Sequence, residues 1–209
     1  MHRTAPTLAA TALLLISPAA ALAGFGSSFK PVKGNPANRL TQKPIDDYRY
    51  DYAKRCLKKP QKGTRALESW LGRHAKGITW GIMRCEKWGH GRASLHAEGR
   101  ALDWHLDVHD RADKREAERI INLFLAPDKQ GNEHALARRM GVQEIIWNCR
   151  SWYSGSERLE RYSVCYDRKG HRRRHVDDTT AHRNHIHFGL NWRGARKKTT
   201  FWRSRFARR

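Results

Sequence analysis

Twelve histidines stand in this chain of 209 residues, and two short groups of them have the composition of a metal site. The first is Ser94-Leu95-His96-Ala97-Glu98-Gly99-Arg100-Ala101-Leu102-Asp103, which places His96 in a turn and Asp103 on the strand that follows. Gly99 permits the close backbone approach that brings Asp103 back beside His96. The second group is His182-Arg183-Asn184-His185-Ile186-His187. Side chains two apart on a strand share a face, so His185 and His187 project together. One carboxylate and two or three imidazoles on adjoining strands make the oxygen and nitrogen ligand set of a catalytic zinc, which keeps its fourth position for water. Other divalent metals accept the same ligand types. A lone H-x-H is a common surface feature, and it is the joint occurrence of the two groups that carries weight.

The elements that must position these residues follow from hydrophobic periodicity. Apolar residues at helical intervals predict two short helices over 45–57 and 64–74, and a longer one over 112–125, where Ala117, Ile120, Ile121, Phe124 and Leu125 form one stripe ended by Pro127. A further helix is expected over 132–140, stopped by Gly141. Segments 78–83, 100–108, 142–147 and 185–190 read as strands. The polar stretch 154–180, with its Arg- and Lys-rich run at 168–175, reads as a long loop. Together these predict one α+β domain, a small antiparallel sheet flanked by helices, with the zinc site on the concave sheet face. His105 lies an even step from Asp103 and reads as an outer neighbour of the site, whereas His109 falls in a turn and His171 and His175 in the solvated loop. Trp80, Trp104, Trp147 and Trp152 read as core or cleft-wall residues.

Residues 1–23 have the form of a signal peptide, a basic start, an apolar run over 8–15 and Ala21-Leu22-Ala23 as the cleavage site. The run is interrupted by Ser17 and Pro18 and falls short of the ~20 residues that span a bilayer, so no membrane span is expected. Residues 24–43 read as a surface arm and 205–209 as a basic tail around a domain over 44–204. The reading places the protein outside the cytoplasm, secreted or periplasmic, where disulfides are permitted. Cys56, Cys85, Cys149 and Cys165 allow three connectivities, and the sequence-local choice pairs Cys56 with Cys85 and Cys149 with Cys165. No C-x2-4-C pair is present to suggest a thiolate zinc site. The formal charge of +22 calls for polyanionic partners, peptidoglycan or another anionic envelope polymer. The residues from 193 onward mix cations with Phe201, Trp202 and Phe206 in a way that can hold phosphates and stack on bases, but export argues against nucleic acid as the target.

The first group reproduces S-x-H-x-x-G-x-A-x-D, and H-I-H is its usual companion. The chain thereby resembles the zinc peptidase superfamily of D-alanyl-D-alanine peptidases, lysostaphin-like endopeptidases and hedgehog domains. It is more closely similar to secreted bacterial proteins with an extensin-like or D-alanyl-D-alanine-carboxypeptidase-like domain, through G-R-A-L-D-W at 99–104, A-R-R-x-G-x-x-x-I-I-W-N at 137–148 and H-R-x-H-x-H-F-x-L at 182–190. The likeness extends over roughly residues 45 to 204. It implies that His96, Asp103 and His187 bind zinc, that His185 faces the water or substrate, and that Arg84 holds substrate. The implied activity is that of a monomeric zinc peptidase, a carboxypeptidase or endopeptidase hydrolysing peptide bonds of peptidoglycan. Relatives commonly carry Glu or Asp where this chain has Asn184, which cannot take a proton. Proton transfer then falls to His185, with His182 as the second candidate. The alternative reading is a non-catalytic zinc protein that binds the cell wall or another polyanion.

Overall fold

A computed structural model describes residues 29–208. Residues 1–23, expected to be a signal peptide, lie outside the described residues. In chain order the elements are α1 (Lys62–His74), β1 (Ile78–Gly81), β2 (Ala101–His105), α2 (Arg111–Leu125), α3 (Ala135–Met140), β3 (Val142–Trp147), β4 (Arg150–Tyr153), β5 (Glu160–Arg161), β6 (His185–Leu190), α4 (Trp192–Ala195) and α5 (Thr200–Arg203). The strands form one antiparallel sheet in the order β1-β2-β6-β3-β4-β5. The fold is therefore a single small α+β domain, with disulfides Cys56–Cys85 and Cys149–Cys165 as expected.

Strand periodicity divides the sheet into two faces. Leu102 and Trp104 of β2, Ile186 and Phe188 of β6, and Ile145 and Trp147 of β3 enter one hydrophobic core with Leu67, Trp70 and Leu71 of α1 and Ile120, Ile121 and Phe124 of α2. The alternate residues, Asp103, His185, His187 and Glu144, are left to the opposite face. The helices are fixed by local chemistry. Asp110 caps α2 by accepting from the amides of Ala112 and Asp113. Gly141, at φ 74°, ends α3 in the left-handed conformation that glycine adopts without strain.

Three sequence expectations are corrected. Residues 45–57 are not helical, because their backbone is engaged from outside: Arg100 and Gln143 donate to the Asp51 carbonyl, the Lys54 amide donates to Glu98, and the Leu57 amide to Ala97. The described part of the predicted arm packs into the core through Phe29, Ala37 and Leu40, with Asn35 donating to the Leu123 carbonyl. Two of the three aromatic residues named near the C-terminus, Phe201 and Trp202, are buried and offer no stacking surface, and Phe206 is partly buried. Phe201 meets Trp70 edge-on in the core, and the Trp202 indole donates to the Met140 carbonyl.

β4 is absent from the sequence reading because its turn lacks the usual glycine. Asn148 and Cys149 both take positive φ, 46° and 59°, and close a two-residue hairpin between β3 and β4. Their amides donate to the carbonyls of His182 and Ala181, which ties the turn to the loop ahead of β6.

His134 gives the fold a pH dependence. It precedes α3 with its ring buried between Phe29 and Trp152, and Tyr48 Oη stands 2.7 Å from its Nδ1. Burial, helped by nearby Arg138, pushes its pKa down to about 4. A histidine depressed on folding binds its proton more readily unfolded, so its contribution is complete above the unfolded value near 6.5 and is lost as pH falls towards 4. The unfolding free energy read from urea titrations should decline across that window by about 3 kcal/mol. In His134→Asn, which tolerates the left-handed backbone at this position, the decline should become smaller, His182 and His185, also depressed by burial, accounting for what remains.

Candidate metal centre

Three elements converge on the sheet face opposite the helices. His96 sits on a 3-10 turn, Leu95–Glu98, where the Ser94 hydroxyl accepts from the His96 amide and Gly99 at φ 65° closes the end. A side chain at Gly99 would stand 2.7 Å from the Pro60 backbone, so glycine answers both the conformation and the space. β2 pairs with β6 so that Asp103 lies opposite His187 and His105 opposite His185, and β3 pairs with β6 so that Ile146 lies opposite His187. Glu144, two residues from Ile146, shares its face.

This register brings His96, Asp103 and His187 together, all three buried. His96 Nε2 is 3.1 Å from Asp103 Oδ1 and 3.2 Å from His187 Nδ1, and that Nδ1 is 3.0 Å from Oδ1. Ligands ~2.1 Å from a tetrahedral zinc stand about 3.4 Å apart, so the triangle has the size of three of its four corners. His96 Nδ1 faces the Ile82 carbonyl at 2.9 Å, which makes it the N–H donor and leaves the Nε2 lone pair for a metal. The cluster can hold a metal ion. Burial opposes the charge on Asp103, but the His187 and His96 contacts outweigh it and hold its carboxyl well below the usual range.

A residue that the sequence reading missed completes the surroundings. Glu144 Oε1 is 3.0 Å from His187 Nε2, a charge contact not aimed along the hydrogen-bond line, and Glu144 Oε2 accepts from the Tyr50 hydroxyl at 2.5 Å. Burial works to raise the Glu144 pKa, yet His187 and Tyr50 keep it ionised. The only sequence signal was its even spacing from Ile146 on a strand otherwise buried, where a carboxylate needs partners. Burial lowers the His187 pKa, but Asp103 and Glu144 overcome it and raise the value to about 9. Carboxylates behind metal-binding histidines typically contribute 10–100-fold in metal affinity. Glu144→Gln should therefore weaken zinc binding by about that factor, read by competition with a chelator, while far-ultraviolet circular dichroism stays unchanged.

His185 is placed beside the cluster and outside it. Its Nε2 is 3.6 Å from Asp103 Oδ1, and its Nδ1 is 2.8 Å from Asn184 Oδ1. Asn184 donates through Nδ2 to Thr179 Oγ1 and turns Oδ1 to His185 Nδ1, the arrangement in which Oδ1 accepts from Nδ1–H. The Nε2 lone pair then faces the cluster. Burial, only partly offset by Asp103, pushes the His185 pKa down to about 4, so the ring is neutral near pH 7. Asn184 thus has a positioning role that the sequence reading did not give it. His182 stacks obliquely on His185, ring centres 4.7 Å apart, and burial followed by the charge of His187 and His185 depresses its pKa to about 2. Arg84 Nη1 reaches Asp103 Oδ2 at 3.4 Å while its Nε pairs with Glu86 at 2.9 Å. His105 accompanies the site from behind, contacting the Asn184 carbonyl at 2.7 Å and stacking on Trp80 at 4.2 Å. His109 and His171 are exposed and pair with Asp178 and Asp167. Trp104, Trp147 and Trp152 are buried, and Trp80 is half exposed.

The cluster opens into a cavity of about 500 Å³ lined by His96, His187, Glu144, Arg84 and His182 among others. A family model described as VldE, C-terminal domain, matches residues 56–182, more than half of the chain. The chain belongs to the VldE C-terminal domain family. The match to this family takes in His96, Asp103 and Glu144 but ends before His185 and His187. No curated protein and no solved structure matches the chain. Among the described residues no helix is long and apolar enough to cross a membrane.

Proposed function

We infer that the chain is a secreted or periplasmic zinc hydrolase of the D-alanyl-D-alanine peptidase type, acting on peptide bonds of peptidoglycan. The observation that carries this reading is the triangle of His96 Nε2, Asp103 Oδ1 and His187 Nδ1, with edges of 3.0 to 3.2 Å and a neutral His185 beside it. The two disulfides are compatible with export. The motif resemblance supplies the substrate class.

When bound, zinc supplies Lewis acidity towards a carbonyl oxygen and towards water. The chain's own residues supply the rest. His185 Nε2, with its lone pair held towards the cluster by Asn184, takes a proton from the attacking water and returns it to the leaving amine. The half-exposed Arg84 guanidinium reaches into the cavity, where it holds a substrate carbonyl or carboxylate. Glu144 and Tyr50 keep the His187 ring in place. His182 packs against His185 and excludes water from one side of its ring.

The test is digestion of purified sacculi by the zinc-loaded chain. Release of soluble peptide is expected, with a loss of about 100-fold in kcat for His185→Ala at unchanged zinc content. Sedimentation with sacculi at low salt without any release would replace cleavage by binding alone. That second reading draws on the exposed run of Arg168, Lys169, Arg172, Arg173 and Arg174.

A further inference from the structure

Tyr52 and Trp88 expose 77% and 64% of their surface in a chain whose other aromatic residues are mostly buried, and both line the cavity that holds His96 and His187. Their backbone is tied down. Ala93 bridges to Ala53 on one side and to Lys87 on the other, and the Trp88 amide donates to the Arg92 carbonyl. Tyr52 and Trp88 therefore stand on lanes separated by one other, on the order of 10 Å at the ~4.8 Å spacing of paired strands. The Cys56–Cys85 bridge joins the two segments that carry them. Two exposed aromatic faces at the rim, carried on a backbone anchored from below, make a platform.

The polar groups beside them decide what the platform fits. Arg84 and Arg92 line the same cavity as Glu86, and the Arg84–Glu86 pair leaves 51% and 43% of its side-chain surfaces exposed. A purely apolar ligand would strip water from these charges and offer nothing in return. A polyanion would meet Glu86 at the rim and Glu144 inside, and its natural contact is the exposed arginine run at 168–174. An uncharged ligand with flat C–H faces and hydroxyl or acetamido groups satisfies both the aromatic rings and the mixed donors and acceptors.

We propose that Tyr52 and Trp88 form a glycan subsite, on which two rings of an uncharged pyranose chain, separated by one ring between them, stack while Glu86 and Arg92 meet its polar groups. This deepens the hydrolase reading, on which its biological meaning rests, by assigning the sugar strand rather than the peptide to the aromatic rim.

Calorimetric titration of the full chain with β-1,4-linked tetramers of N-acetylglucosamine and of glucose tests it. Saturable binding is expected, weakened tenfold or more by Trp88→Ala and by Tyr52→Ala and largely restored by Trp88→Phe. The chain stripped of metal by a chelator is expected to bind the tetramer like the untreated chain. The glycan subsite thus survives in this experiment even where the hydrolase reading fails, and sacculus digestion reports on that reading separately. Absence of binding to both tetramers at millimolar concentration overturns the proposal, as does binding indifferent to both aromatic substitutions. Binding of tetra-alanine in place of the sugars, with the same dependence on Trp88, overturns it in favour of a peptide subsite.

Discussion

His96→Ala combined with Asp103→Ala is expected to take the metal content of the purified chain from about one ion to none, as read by elemental analysis. The two residues contribute two corners of a triangle whose third, His187 Nδ1, lies 3.2 and 3.0 Å from them. Neither corner has a substitute within the cluster: His185 Nε2 stands 3.6 Å from Asp103 Oδ1 and is held by Asn184. His187 is then the one corner of the triangle left, and with His185 set back from it the remainder binds a divalent ion weakly, because the affinity of such sites comes from several preorganised ligands together. The loss should also appear as stability. An ion present at a thousand times its Kd adds ~4 kcal/mol to the unaltered chain, so zinc should raise its melting temperature and leave that of the variant unmoved. An unaltered chain that takes up no metal even after incubation with zinc would sink the hydrolase reading, and a variant that keeps its ion would sink the ligand assignment.

Removal of the second disulfide, by Cys149→Ser with Cys165→Ser, is expected to lower stability by ~3 kcal/mol, the chain-entropy value for a loop of about its length. The bridge spans 16 residues and is almost wholly buried, with Cys149 2% and Cys165 1% exposed. The consequence should reach the site. Cys149 occupies the β3–β4 turn at φ 59° and its amide donates to the Ala181 carbonyl, so the bridge also restrains the segment that carries His182. Urea unfolding measures the first effect. Histidine ring resonances measure the second: the His182 signal should broaden or move while that of His96, held by the Ile82 carbonyl and the first disulfide's neighbourhood, stays in place. Unchanged unfolding midpoints would show that the turn and its hydrogen bonds suffice without the bridge.

Much of this architecture is legible in local sequence because its causes are local. The apolar stripe of α2, the glycine that ends α3 and the alternation of β2 and β6 act over a few residues, and periodicity and stop signals expose them. The same holds for the ligand types, since His96 and Asp103 are seven residues apart and His185 and His187 share a face. The extended course of 45–57 is another matter. Its apolar spacing suits a helix, and only the buried Arg100, Gln143 and Glu98 draw its backbone into external hydrogen bonds. The hairpin at Asn148 and Cys149 likewise depends on partners at 181 and 182 that no local window contains.

Residue types and spacing, taken by themselves, determined the α+β class, the principal helices and strands and the kinds of ligand available for a metal, while among three cysteine connectivities they only favoured the local one that the structure holds. Tertiary structure alone decided that His187 Nδ1 turns towards Asp103 across a separation of 84 residues, that Glu144 and Tyr50 stand behind it, and that Phe201 and Trp202 are core rather than surface. The physical reason is range. Periodicity and capping are set by neighbours along the chain, whereas strand register and the partners of a buried charge are set by groups that meet only after the sheet has closed.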